Sequence, residues 1–111
     1  MRTLTPSEAP AGTCLQGYIT ATRSQIESVF GSPTWDVQGV EDKVTTEWVI
    51  DFDGVIGTIY DWKRYEMGKP EAEEEIIWHI GGNNPEPVTL IKEAIGVEAF
   101  YTYPFHLQIK N

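Results

Sequence analysis

Hydrophobic and polar positions alternate most clearly between Lys43 and Arg64, KVTTEWVIDF-DG-VIGTIYDWKR. Two apolar-rich runs flank Asp53-Gly54. An Asp-Gly pair in that setting signals a two-residue hairpin loop, because both central residues of a type I′ turn need positive φ. Such a loop sets Phe52 against Val55, Ile50 against Gly57 and Trp48 against Ile59. The two-residue period of a strand then sorts the side chains. One face carries Val44, Trp48, Ile50, Phe52, Val55 and Ile59 and reads as a core face. The other carries Thr45, Glu47, Val49, Asp51, Ile56, Thr58, Tyr60, Trp62 and Arg64, and is mixed and aromatic. Asp61 falls on the nominal core face, so either the strand has left the core by then or a bulge shifts its register. Gly57, mid-strand, points to close approach of a helix over the sheet, around Phe30.

The rest of the chain reads as elements around this hairpin. Met1 to Cys14 is rich in Pro, Ser, Thr, Ala and Gly and is expected to be a flexible tail, leaving residues 15–111 as a single α+β domain. Gln16 to Ala21 is a short strand. Thr22-x-x-Gln25 fits a capping box opening a helix. Ile26, Val29 and Phe30 make its apolar stripe, Gly31 supplies the position after its end, and Pro33 prevents continuation. Thr34 to Asp42 is a loop. After the hairpin, Tyr65 to Glu73 is a charged loop and Glu74 to Ile80 a third strand. Its Ile76, Trp78 and Ile80 share one face, with Ile77 and His79 on the other. Gly81 to Pro85 turns into a second helix with Asn84 as N-cap and Pro85 at the first helical position. Val88, Ile91 and Ile95 form its buried stripe, and Gly96 closes it. Val97 to Tyr103 is a candidate last strand, with Phe105 to Ile109 a terminal extended segment. The fold expected is α+β: an antiparallel sheet of four to five strands with two helices packed on one face.

Composition narrows the functional classes. A chain of 111 residues supports one core. Seventeen acidic residues against eight basic give a net charge of −9, which argues against duplex nucleic acid as a partner, because that binding rests on neutralising phosphates. The acidity serves solubility or docking on a basic protein groove. No run is long and apolar enough for a membrane span, and the N-terminus lacks a signal-peptide pattern. The single cysteine, Cys14, fits a reducing cytoplasm and reads as incidental.

No catalytic motif appears, and no cofactor is expected. His79 and His106 read as strand histidines rather than metal ligands. Three features carry candidate binding chemistry. The turn at Gly81 to Asn84, with Asn83 and Asn84, precedes a helix N-terminus, where backbone N–H groups attract anions; an ordinary strand-to-helix connection is the alternative. Tyr60, Trp62 and Arg64, with Lys63 beside them, combine aromatic faces with a guanidinium fork. They suit either a nucleotide-like ligand or an oligomer interface. Arg23, a cation in a helix's first turn, opposes the helix dipole and is explained by a bound phosphate or by simple exposure.

The run GYITATRSQIESVFGSPTW…KVTTEWVIDFDGVIGTIYDWKRY…WHIGG…PVTLIKEAIG resembles a family of small bacteriophage accessory proteins, the phage Thoeris anti-defence sponges. The shared elements are Phe30-Gly31-x-Pro33, Glu47-Trp48-x-Ile50-x-Phe52, Thr58 to Lys63 and Trp78-x-Ile80-Gly81-Gly82, within residues 17–96. The resemblance implies a non-enzymatic, homo-oligomeric binding protein in the cytoplasm of the infected bacterial host. Such a protein holds a cyclic ADP-ribose signal, made by a TIR-domain protein, without cleaving it. It also implies ligand contacts from Arg23, from Trp78 as a stacking surface, from Asn84, and from a basic residue near the C-terminus, where this chain offers Lys110. The alternative is an acidic phage inhibitor that docks on a host defence protein such as a nuclease complex. A third class is a phage structural subunit.

Overall fold

Asp53 and Gly54 adopt φ of 55° and 103°, and the hairpin around them pairs as the turn chemistry requires. In this computed structural model, which describes residues 1–37, 43–65, 67–107 and 109, Phe52 faces Val55, Ile50 faces Gly57 and Trp48 faces Ile59. The strands are β1 (Arg2–Thr3), β2 (Cys14–Thr22), β3 (Trp35–Asp36), β4 (Thr46–Phe52), β5 (Val55–Tyr60), β6 (Glu75–Gly82) and β7 (Ala99–Phe100); the helices are α1 (Arg23–Phe30) and α2 (Glu86–Ile95). Among the described residues the fold is thus α+β, with two helices on an open sheet of seven strands rather than four or five. The order across the sheet is β1-β4-β5-β6-β2-β7, with β3 also on β4, and every pairing is antiparallel.

Both helices bury their stripes in one cluster. Ile26 and Phe30 of α1 and Val88 and Ile91 of α2 meet Ile19, Ala21, Trp48, Ile50, Ile59, Ile76, Trp78 and Ile80 from a single sheet face. Trp48 and Trp78 pack edge to face with centroids 5.5 Å apart. Each buried indole N–H finds a carbonyl: Trp48 donates to Gly31 and Trp78 to Ala21, both at 2.9 Å.

The capping box of α1 is present in both directions, with Thr22 Oγ1 accepting from Gln25 N and Gln25 Oε1 from Thr22 N. At α2 the cap differs by one residue from the sequence reading. Pro85 is the N-cap, and Asn84 Oδ1 instead accepts from Glu86 N at 2.9 Å across the preceding turn. The helix over Gly57 is α2, not the end of α1. A Cβ on Gly57 would lie 2.8 Å from Pro87 Cβ, and one on its partner Gly82 would lie 2.8 Å from Pro87 Cγ. Val97 to Tyr103 contributes only β7, and residues 105–107 form a turn rather than an extended segment. The expected loop of Thr34 to Asp42 begins instead with β3; its residues 38–42 lie outside the described residues.

The first residues are not a loose tail. Arg2 and Thr3 pair with Asp51 and Ile50, Leu4 N donates to Val49 O, and Leu4 is buried. Thr3 Oγ1 donates to Phe30 O at 2.7 Å, tying the strand to the end of α1. A turn at Thr5 follows, held by Glu8. The Thr5 amide, then the Arg2 guanidinium and the Thr5 hydroxyl, hold its carboxyl down at about 2. One apolar side chain and a few tertiary hydrogen bonds overcome a Pro/Ser/Thr-rich composition. Deleting residues 1–4 is therefore expected to lower stability by about 1.5–3 kcal/mol from Leu4 alone. Thermal denaturation checks this, and an unchanged midpoint would show the segment to be dispensable.

Candidate ligand-binding face

The face of the sheet away from both helices carries the chemistry. Strand register lines up Glu47 of β4, Tyr60 of β5, His79 of β6 and Tyr18 of β2 in one row. Residues directly opposite in a sheet point to the same side, so the row is a strip of side chains across four strands. His79 is its centre, and only 8 % of its surface is exposed. Trp62 stacks on it at 5.6 Å and 27°, Tyr60 leans on it at 5.4 Å, and Tyr18 meets it edge-on at 5.0 Å. Tyr103, beyond β7, extends the group by packing on Tyr18 at 5.3 Å, and Phe105 packs on Tyr103 at 4.6 Å. Phe105 is 83 % exposed, so the aromatic strip ends in solvent.

The strip is electrically quiet except at one end. Burial pushes His79 down to about 4, with the nearby Asp61 charge opposing the shift. Burial pushes Tyr60 up to about 12, helped by the Glu47 charge. Glu47 is itself raised, first by burial and then by Asp61. At neutral pH the His79 ring and the Tyr60 hydroxyl are uncharged, and Glu47 closes the row. His79 should leave a mark on stability. The ring is neutral in the fold down to about 4, against an ordinary value of 6.5. The unfolded chain binds the proton first as pH falls. The stabilisation is therefore full above about pH 6.5 and lost as pH falls toward about 4. A proton NMR titration of the His79 ring is expected to show the low midpoint, and one at 6.5 or higher would contradict it.

The residues singled out in the sequence do not converge on one site. Trp62 lies on the aromatic strip. Trp78 is 0 % exposed, inside the core, and presents no face to a ligand. Arg23 is held by Glu27 and, through Nη1 and Nη2, by both oxygens of Asp36, which Lys69 also contacts at 2.7 Å. The hydrogen bond to Asp36 raises the Arg23 pKa further, and these carboxylates account for a cation in a first helical turn without a phosphate. Arg64 is 2 % exposed and donates through Nη2 to both oxygens of Glu74. Asn83 and Asn84 are exposed at the β6–α2 turn, beyond the end of the strand that carries His79. Lys110 lies outside the described residues. Sequence reasoning passed over Tyr18, His79 and Tyr103. For the first two the two-residue alternation was the available signal; Tyr103 reaches the strip only through the chain's return past β7.

Among the described residues, no group of three or more His, Cys, Asp or Glu side chains is placed to hold a metal ion, and no helix is long and apolar enough to cross a membrane. Compared with protein-family models, curated proteins and solved structures, the chain matches none.

Proposed function

We propose that this protein is a phage anti-defence binding protein that sequesters a cyclic ADP-ribose-type immune signal without cleaving it, as a homo-oligomer in the infected bacterial cytoplasm. The observation that carries the reading is the aromatic strip on the sheet face away from the helices. Tyr18, Tyr60, Trp62, His79 and Tyr103 give a preformed cluster of rings, with the half-buried Trp62 stacked over His79, against which a base can stack. The motif resemblance across residues 17–96 supplies the ligand class. The strip replaces Trp78 as the stacking surface. Isothermal titration with cyclic ADP-ribose derivatives, followed by recovery of the ligand intact, tests the reading. Trp62→Ala is expected to weaken binding about fivefold to more than a hundredfold, the range set by base–aromatic stacking, with circular dichroism unchanged.

A second reading has its own support. Arg23, Arg64 and Lys69 are neutralised internally, in a chain of net charge −9. That leaves an acidic exterior suited to docking on a basic host defence protein. A wild-type protein that binds no cyclic nucleotide but captures such a host protein in a salt-sensitive manner establishes this reading instead.

A further inference from the structure

A nucleotide stacked on Trp62 brings phosphate with it, and the next two residues along the chain end in cations. We infer that Lys63 and Arg64 form a seat for a phosphate-sized oxyanion. The inference deepens the sequestering reading by placing the ligand's phosphate beside its base.

The turn after β5 is built around the Arg64 side chain. Lys63 takes a left-handed backbone with φ of 52°, uncommon for a residue with a side chain. The Arg64 carbonyl then accepts from Met67 N at 3.0 Å and Gly68 N at 2.8 Å. The guanidinium reaches back across this turn, with Nε donating to Gly68 O at 3.0 Å and Nη2 to the Glu74 carboxylate at 2.9 and 3.0 Å. Nη1 is buried and has no partner among the described residues. Two N–H donors of a charged group are thus withdrawn from water with nothing in return, a costly arrangement that an acceptor would relieve. Arg64 forms one wall of a cavity of about 400 Å³, lined also by Lys63, Tyr65 and Met67. These three companions are exposed, so the cavity communicates with solvent.

The chemistry of the missing acceptor follows from the charges. Glu74 balances one of the two cations. The Lys63 ammonium has no carboxylate partner among the described residues and stands 5.4 Å from the centre of the Trp62 ring. The uncompensated charge favours an anion over a neutral acceptor. A tetrahedral oxyanion presents oxygens in several directions, so it can engage Arg64 Nη1 and Lys63 Nζ together. Trp62 belongs to the aromatic strip, so this seat adjoins the stacking surface.

Inorganic phosphate is the probe. Titrated into the isotope-labelled wild-type protein at constant ionic strength, it is expected to give saturable NMR shifts at the amides of Lys63, Arg64, Met67 and Gly68 and at Arg64 Nε; chloride is expected to give none. Lys63→Gln, a change at an exposed position, is expected to weaken phosphate binding about tenfold. Arg64→Lys, which removes Nη1, is expected to abolish it; if that variant fails to fold, Lys63→Gln carries the test alone. Absence of phosphate shifts, shifts matched by chloride, or binding unaltered in Lys63→Gln would each overturn the seat. Two further outcomes separate it from the sequestering reading. Phosphate binding without cyclic nucleotide binding keeps the seat and removes that reading. Nucleotide binding that is equal for wild type and Lys63→Gln, with no phosphate shifts, does the reverse.

Discussion

Replacing Asp61 with alanine is expected to destabilise the protein by about 3 kcal/mol or more. Asp61 is completely buried. Its Oδ1 accepts from the amides of Thr45 and Thr46 at 2.8 and 2.9 Å, and its Oδ2 accepts from the Thr45 hydroxyl at 2.6 Å. Alanine leaves three donors in the interior without an acceptor, and each orphaned group costs about 1–3 kcal/mol, not additively. For a domain of this size that corresponds to a fall in melting temperature of about 12 °C or more. Asp61→Asn keeps one acceptor oxygen for the amides and should fall between. Thermal denaturation of the three proteins checks the order, and an alanine variant that melts with wild type would mean that the carboxylate does not hold the start of β4.

The second large effect is expected at the floor beneath α2. Gly57→Val should cost about 1–3 kcal/mol or more through overpacking. The added Cβ would meet Pro87 Cβ at 2.8 Å, Phe52 Cε2 at 3.4 Å and Ile91 Cδ1 at 3.5 Å. The first of these belongs to a rigid ring anchored in a helix and cannot swing away. Gly82→Ala strains the same helix differently, because its nearest neighbour is Pro87 Cγ at 2.8 Å, followed by Asn84 O at 3.1 Å. Pro87→Ala removes Cγ but keeps Cβ. It is therefore expected to restore part of the stability lost in Gly82→Ala and none of that lost in Gly57→Val. Denaturant unfolding of the single and double variants reads this directly, and equal rescue of both would place α2 differently over the sheet.

What was legible in the sequence was local chemistry. Asp53-Gly54 specifies its own turn, and the turn specifies the register of β4 on β5. Thr22 and Gln25 specify where α1 begins. The alternation Ile76, Trp78, Ile80 already placed Trp78 on the core face, and the indole is there; the ligand role came from the resemblance, against the pattern. Asp61 and Arg64 were less legible because β5 stops at Tyr60. Past that point alternation no longer governs. Asp61 turns inward to the start of β4, and the left-handed backbone at Lys63 sends Arg64 into the turn that it closes. The two-residue strands β1 and β3 carry no period at all. They exist because β4 offers them partners, and that is a tertiary fact. The aromatic strip was half visible, since Tyr60 and Trp62 stood out, but its centre at His79 required the pairing of β5 with β6.

The outer side of β4 is tiled without a break. Asp36 and Trp35 cover Thr46 and Glu47, Thr34 Oγ1 takes the Val49 amide at 2.9 Å, Leu4 takes the Val49 carbonyl, and Thr3 and Arg2 cover Ile50 and Asp51. An uncovered strand of sequence TEWVIDF, rich in β-branched and aromatic residues, is a template on which another copy can zip. Two fragments and one hydroxyl, from separate parts of the chain, deny it that role. A version of the chain begun at residue 5 would bare half of this rim. Its failing would then show as turbidity on standing as much as a lowered melting point, and a bulky fusion at Met1 risks the same outcome.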